Sequence, residues 1–268
     1  MTASCGLVLR GHARALAAKI APDTAPVALN DPRPPAPARR AGTVTAVAVL
    51  SPGVVEVVLT LARRLDHRPG QHVRVALGRL PARDLVPTLR VDGGCELNEI
   101  VLHLDRAGRT AAALVDGRVR PGDAARVEGP FGEAHHRPGA GRLVIAAHGT
   151  GFAQGWAIAR AARCLEPERP LAFVLGAGWA ADLYGLPALD WLAGTGAADL
   201  VACAEGGGRG RVRAGSVAAH LPRLAPGDVV HAAGPPGPVA LVAAAARAAG
   251  ARCHALPYAE PPALGLIG

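Results

Sequence analysis

A small antiparallel β-barrel followed by a doubly wound parallel α/β sheet is the fold class this sequence predicts, and three observations predict it. The first half holds short alternating strands punctuated by Ser51-Pro52-Gly53 and Pro121-Gly122 turns. The second half holds short, almost wholly apolar strands separated by alanine-rich helical stretches. A proline-rich connector, Asp31-Pro-Arg-Pro-Pro-Ala-Pro-Ala-Arg-Arg40, precedes both and is unable to join a helix or a central strand.

In the first half the alternation predicts strands over Thr43–Val49, Val54–Leu61, Gln71–Leu77, Glu99–Asp105 and Ala124–Glu128. Several short strands with such turns argue an antiparallel barrel. In the second half, strands are expected at Leu143–Ala147, Leu171–Leu175, Leu200–Ala204 and Val229–Ala233, with helices over Phe152–Cys164 and Val239–Ala249. Continuous apolar strands alternating with helices imply a parallel sheet covered on both faces. The expected organisation is therefore residues 1–40 as an N-terminal piece and connector, 41–138 as the barrel and 139–268 as the α/β domain.

The 268 residues suffice for two modest cores, and a composition of 50% hydrophobic and 19% charged residues is globular. Net charge is +8, carried almost entirely by arginines scattered without an aromatic-interleaved patch, so nucleic-acid binding is the weaker reading. Five cysteines with no CxxC pair suggest neither a zinc site nor a disulfide framework, but reduced thiols. No run approaches 18 apolar residues, and the N-terminus lacks a signal core, so a soluble cytoplasmic protein without a membrane partner is expected. His135 and His136 beside Glu133 lack a third ligand at useful spacing, so no metal is expected. Ser51 and Ser216 lack a nucleophile elbow, which leaves a serine hydrolase unsupported.

The densest motif is Arg142-Leu-Val-Ile-Ala-Ala-His-Gly-Thr-Gly151, an apolar strand ending in Gly149-Thr150-Gly151 and running into a helical pattern. Glycines there let backbone amides approach a pyrophosphate at a helix start. The spacing departs from GxGxxG, and such glycines also serve purely structural turns. Its companions are Arg68-Pro-Gly-Gln-His-Val-Arg-Val-Ala-Leu77, Arg120-Pro-Gly-Asp-Ala-Ala-Arg-Val-Glu-Gly-Pro-Phe-Gly132, Leu175-Gly-Ala-Gly-Trp-Ala-Ala-Asp-Leu-Tyr184 and Val229-Val-His-Ala-Ala-Gly-Pro-Pro236. In this order they resemble the ferredoxin-NAD(P) reductase-like flavoprotein family, the electron-transfer modules of oxygenase reductases and flavin reductases. The resemblance covers roughly residues 41 to 262.

The resemblance implies FAD on the barrel, a nicotinamide dinucleotide on the sheet and a cleft between them for two stacked cofactors. The family's Arg-x-Tyr-Ser/Thr flavin strand falls on Val86-Pro87-Thr88-Leu89, so none of its functional side chains is present; Thr88 and Arg90 are the substitutes at hand. Its Gly-x-x-Ser/Thr pyrophosphate turn falls on Gly108-Arg109-Thr110-Ala111, leaving Arg109 and Thr110 as candidate contacts. Gly149, Thr150 and Gly151 match the nicotinamide-side motif, with Gln154 in place of the usual proline. Gly234, Pro235 and Pro236 match the Cys-Gly-Pro loop, with Ala233 at the cysteine. The family's Gly-Ala-Arg reads Gly176-Ala177-Gly178, and Glu205 stands where NADP-preferring members carry Ser-Arg, which favours NAD although Arg209, Arg211 and Arg213 lie close by. Glu260 holds the family's terminal acidic position and is the catalytic candidate; Tyr258 either replaces the terminal aromatic or packs beneath the sheet.

Residues 16–25 are similar to the end of a plant-type ferredoxin domain, with Ala18 at the last cluster cysteine, so no iron–sulfur cluster is expected. An unrelated tail accounts for the pattern equally well. Two readings follow: an NAD(P)H-dependent, FAD-containing electron-transfer reductase with an atypical flavin site, serving an acidic ferredoxin or oxygenase component; or a catalytically silent relative with a binding or regulatory role.

Overall fold

The computed structural model describes residues 35–94 and 96–258. The first lobe contains β1 (Ala38–Ser51), β2 (Val54–Leu61), β3 (His72–Leu77), β4 (Arg83–Leu85), β5 (Glu99–Asp105), the short helix α1 (Arg109–Val115) and β6 (Ala124–Phe131). The strands form one antiparallel six-stranded sheet in the order β4-β3-β6-β1-β2-β5, curled around a core that includes Val44, Val57, Leu59, Val75, Leu102 and Val127. β1 begins at Ala38, inside the proline-rich connector, because Ala38–Thr43 pair with the Ala124–Gly129 stretch of β6.

Strands β2 and β5 do not alternate in burial as a half-exposed barrel strand would. Val55, Val57 and Leu59 of β2 and Ile100, Leu102 and Leu104 of β5 face the barrel core, yet Glu56, Val58, Val101 and His103 on the opposite face are buried too. The second lobe covers that outer face.

The second lobe runs β7 (Leu143–His148), α2 (Phe152–Leu165), β8 (Leu171–Ala177), α3 (Leu186–Gly194), β9 (Asp199–Ala204), β10 (Val212–Ala214), β11 (Val229–Gly234), α4 (Pro236–Ala248) and β12 (Arg252–Pro257). All neighbours are parallel, in the order β10-β9-β8-β7-β11-β12. Helices α2 and α3 cover one face through Phe152, Trp156, Ile158, Ala188 and Leu192; α4 covers the other through Val239, Val242 and Ala246. Beginning at β7, the chain builds outward through β8 to β10, then returns to add β11 on the other side. The strand order reverses between β7 and β11, and in open α/β sheets ligands gather outside the carboxyl ends of the strands at such a point.

Candidate functional site

At the reversal point two turns interlock. Gly149–Gly151 forms a single 3-10 turn between β7 and α2, with Gly149 at φ +57°. A Cβ on Gly151 would collide with the Ala233 carbonyl, and one on Gly234, at φ +149°, would lie 2.9 Å from His148 Cβ. Both positions need glycine because the ends of β7 and β11 approach closer than any side chain permits. Pro235 and Pro236 then open α4, where a missing amide donor costs nothing.

Tyr258 follows β12 and closes over this turn. Its amide donates to Gly234 O at 3.1 Å and its hydroxyl donates to His148 O at 2.9 Å. Burial raises the phenol above its ordinary value, opposed by hydrogen bonds from the Thr150 hydroxyl and the Gly151 amide. The ring is seated on the Gly-Thr-Gly turn. Glu260 lies outside the described residues, as does the segment similar to a ferredoxin terminus.

Along the carboxyl edge, Glu205 directly follows β9, and its Oε1 lies 3.7 Å from His148 Nε2. Of the nearby arginines, Arg211 is committed to Asp190 through two hydrogen bonds. His148 immediately precedes the Gly-Thr-Gly motif in sequence, a position that signals its place in the site but that motif reading passes over.

On the barrel, the candidates do not converge. Thr88 is 6% exposed, and its hydroxyl donates across the lobes to Ala153 O at 2.8 Å. Arg90 forks onto Glu99 at 2.7 and 2.8 Å, which holds the Glu99 carboxyl below its ordinary value, while Arg90 O accepts from Trp156 Nε1 at 3.1 Å. Arg109 and Thr110 stand apart from this pair. They line a cavity of about 310 Å³ with Leu80, Pro81, Ala82 and Arg83, and Gly108 caps α1 beside it.

Between the lobes runs a buried polar seam. His103 of β5 lies 3.3 Å from Glu56 Oε2 and 3.1 Å from the Tyr184 hydroxyl, and its ring is parallel to Phe152. Burial lowers the His103 imidazole, partly offset by Glu56, and raises the Tyr184 phenol well above its ordinary value. Gln154, at the family's proline position, is 1% exposed and donates to Gly70 O at 3.1 Å and Ala134 O at 2.8 Å. Gly53 N donates to Asp182 Oδ1 at 2.9 Å. Among the described residues no group of three or more His, Cys, Asp or Glu side chains is placed to hold a metal, and no helix is long and apolar enough to cross a membrane.

This two-lobed arrangement recurs in solved proteins. The Amycolatopsis cytochrome P450 reductase superposes with a TM-score of 0.72 at 24% identity, over 84% of this chain and 71% of that one. The FAD/NAD-binding domain of a nitric oxide dioxygenase from Vibrio cholerae gives 0.68 at 17% identity, over 82% of this chain and 98% of that one. In sequence, the chain is 31% identical over 177 residues to the ferredoxin–NAD(+) reductase component of an alkene monooxygenase system from Xanthobacter autotrophicus, covering 65% of this chain and 53% of that protein. The chain has the ferredoxin-reductase-like fold. The reductase subunit of an aromatic O-demethylase from Amycolatopsis is a second relative, 33% identical over 151 residues, 54% of this chain and 44% of that protein. This ferredoxin-reductase-like chain thus spans about half the length of the curated relatives it matches. No family model matches it.

Proposed function

We propose that the chain is the dinucleotide-binding part of an NAD(P)H-dependent electron-transfer reductase, with FAD between the lobes and a ferredoxin or oxygenase component as electron acceptor. The observation that carries this reading is the glycine-locked pair of turns at the β7/β11 reversal point, facing a barrel whose outer β2–β5 surface it packs against. Glu205, with Arg211 committed elsewhere, favours NAD, because a carboxylate accepts bonds from a ribose 2′-hydroxyl and repels a 2′-phosphate. The net charge of +8 fits an acidic partner. Cys164, Cys203 and Cys253 are free thiols, which fits the cytoplasm.

The fit to FAD is divided. Arg83, Arg109 and Thr110 around their cavity suit the phosphate end of the dinucleotide. The ring end lacks the family's contacts, because the Thr88 hydroxyl and the Arg90 guanidinium are already spent on Ala153 O and Glu99. When bound, a flavin supplies the conversion of a two-electron hydride into single electrons. This chain's contribution is to hold the two lobes in register and to keep water out of the seam between them.

Those same contacts favour the second reading, a silent reductase-like subunit retained for binding or regulation. Absorbance decides between the two. The reductase reading expects purified protein, reconstituted with FAD, to carry a flavin band that NADH bleaches; protein that stays colourless in excess FAD overturns it in favour of the second.

A further inference from the structure

Four histidines gather where the segment that joins the lobes, residues 132–141, meets the β11–β12 side of the parallel sheet. His231 of β11 and His254 of β12 are register partners, and their rings stack with centroids 5.0 Å apart. Val230 and Ala232 pack on the α4 side, so His231 points from the opposite face. Its ring is buried with no hydrogen bond at either nitrogen, and His254 Nε2 is buried without one as well. His135, His136 and Arg137 of the joining segment lie within electrostatic reach of this stack. His135 is set in a neutral tautomer: its Nδ1 donates to His136 O at 2.8 Å, which leaves Nε2 to accept from Arg68 Nη1 at 3.4 Å. The segment is pinned from both lobes. His136 N donates to Pro69 O at 2.8 Å, Gly139 N donates to Glu166 Oε1 at 2.7 Å, and Arg169 donates to Gly141 O at 2.7 Å and Arg137 O at 2.9 Å.

The charges around the cluster decide how it responds to protons. His231 faces His254, His136, His135 and Arg169, and His254 faces His135, Arg137 and Arg252. His135 faces Arg68 and Arg137. The carboxylates within reach serve the joining segment: Glu166 lies 3.0 Å from His136 Nε2 and also holds Arg169, and the exposed Glu133 lies 3.7 Å from His135 Nε2 and holds Arg137. A proton on the His231–His254 stack therefore meets cations alone. We propose that the four histidines form a proton-operated latch: neutral, they let the joining segment lie against the stack; protonated, they repel one another and the segment's arginine, freeing residues 132–141 while both lobes stay folded. The inference goes beyond the dinucleotide reading and does not rest on it, because it needs no bound ligand. Burial is the largest influence on all four rings and lowers their pKa values, with Glu166 opposing at His136. Freed rings titrate at their ordinary value of about 6.5 and latched rings below it, so the latch is closed above that pH and opens progressively as pH falls beneath it. Each proton taken up on opening multiplies the open population by up to about ten per pH unit.

Hydrogen–deuterium exchange of the full chain, read by mass spectrometry and normalised at each pH to the exchange rate of an unstructured chain, tests the latch. Peptides covering 132–141, which hold the hydrogen-bonded His136 and Gly139 amides, are expected to lose protection about tenfold or more between about pH 7.5 and about pH 5.5, while peptides of β2 and β7 keep theirs. His231→Leu and His254→Phe fill the same space with groups that take up no proton, and each should keep the segment protected at the acid pH. His254 is half-buried, so His254→Phe carries the comparison if His231→Leu does not fold. Protection of 132–141 that is independent of pH overturns the proposal. So does protection lost equally in wild type and His254→Phe, or lost together with that of β2 and β7, which is unfolding of the lobes rather than release of the segment between them.

Discussion

Gly151 has no room for a methyl group, because the Ala233 carbonyl occupies the space its Cβ would fill. Gly151→Ala is therefore expected to cost about 1–3 kcal/mol of stability, since backbone rather than a flexible side chain must yield. NADH affinity should fall with it; urea denaturation and calorimetry read the two effects separately. At Glu205 the expectation is one of selectivity: Glu205→Ala should reduce the preference for NADH over NADPH about tenfold or more while leaving the melting midpoint unchanged, as suits a half-exposed carboxylate. Arg90 is different again. Its fork onto Glu99 makes it a structural residue, and Arg90→Met should cost about 1–2 kcal/mol in chemical denaturation, because the largely buried Glu99 carboxylate loses its partner. Its appearance as a flavin candidate followed from its place one residue beyond the motif, which falls on Val86–Leu89. Neither the motif nor its spacing records that Glu99, nine residues on, faces it across the Asp92–Gly94 turn.

Among the elements, strands were far more legible than short helices. Val54–Leu61 and Glu99–Asp105 have the bounds their alternation predicts, and Leu143–His148 and Val229–Gly234 each extend the expected strand by a single residue. α1, at seven residues, and α3, at nine, are too short for a helical period to emerge from alanine-rich sequence, and β4 and β10 have three residues each. The seam between lobes was not legible at all, since it pairs Thr88 with Ala153, His103 with Tyr184 and Gly53 with Asp182 across long stretches of chain. Thr88→Val keeps the shape and removes the donor, so it should lower stability by about 1–2 kcal/mol. If the bond serves chiefly to hold the lobes together, the same variant should also speed protease cleavage within 132–141, the segment that joins them.

Taken whole, the molecule carries an acid sensitivity written in buried histidines. Burial lowers the pKa of His67, His103, His136 and, most strongly, His231, which is 1% exposed and has no hydrogen-bond partner on either ring nitrogen. These rings stay neutral in the folded chain and take up protons when it unfolds. Below about 6.5 the unfolded state binds more protons, so stability should fall progressively as pH drops through that value. Thermal midpoints measured from about pH 8 to about pH 5 should follow that slope, and His231→Leu should flatten it. The strand positions along the chain, the barrel-then-sheet layout and the glycine-marked turns follow from the sequence by itself, because periodicity, Pro-Gly turns and glycine spacing are local properties of the chain. Which polar groups are spent on the seam, which arginines have partners, and that Tyr258 seats on the Gly-Thr-Gly turn while His231 stacks on His254, only the tertiary structure decided. These are contacts between residues far apart in the chain, and nothing in the local pattern of either partner encodes where the other will be.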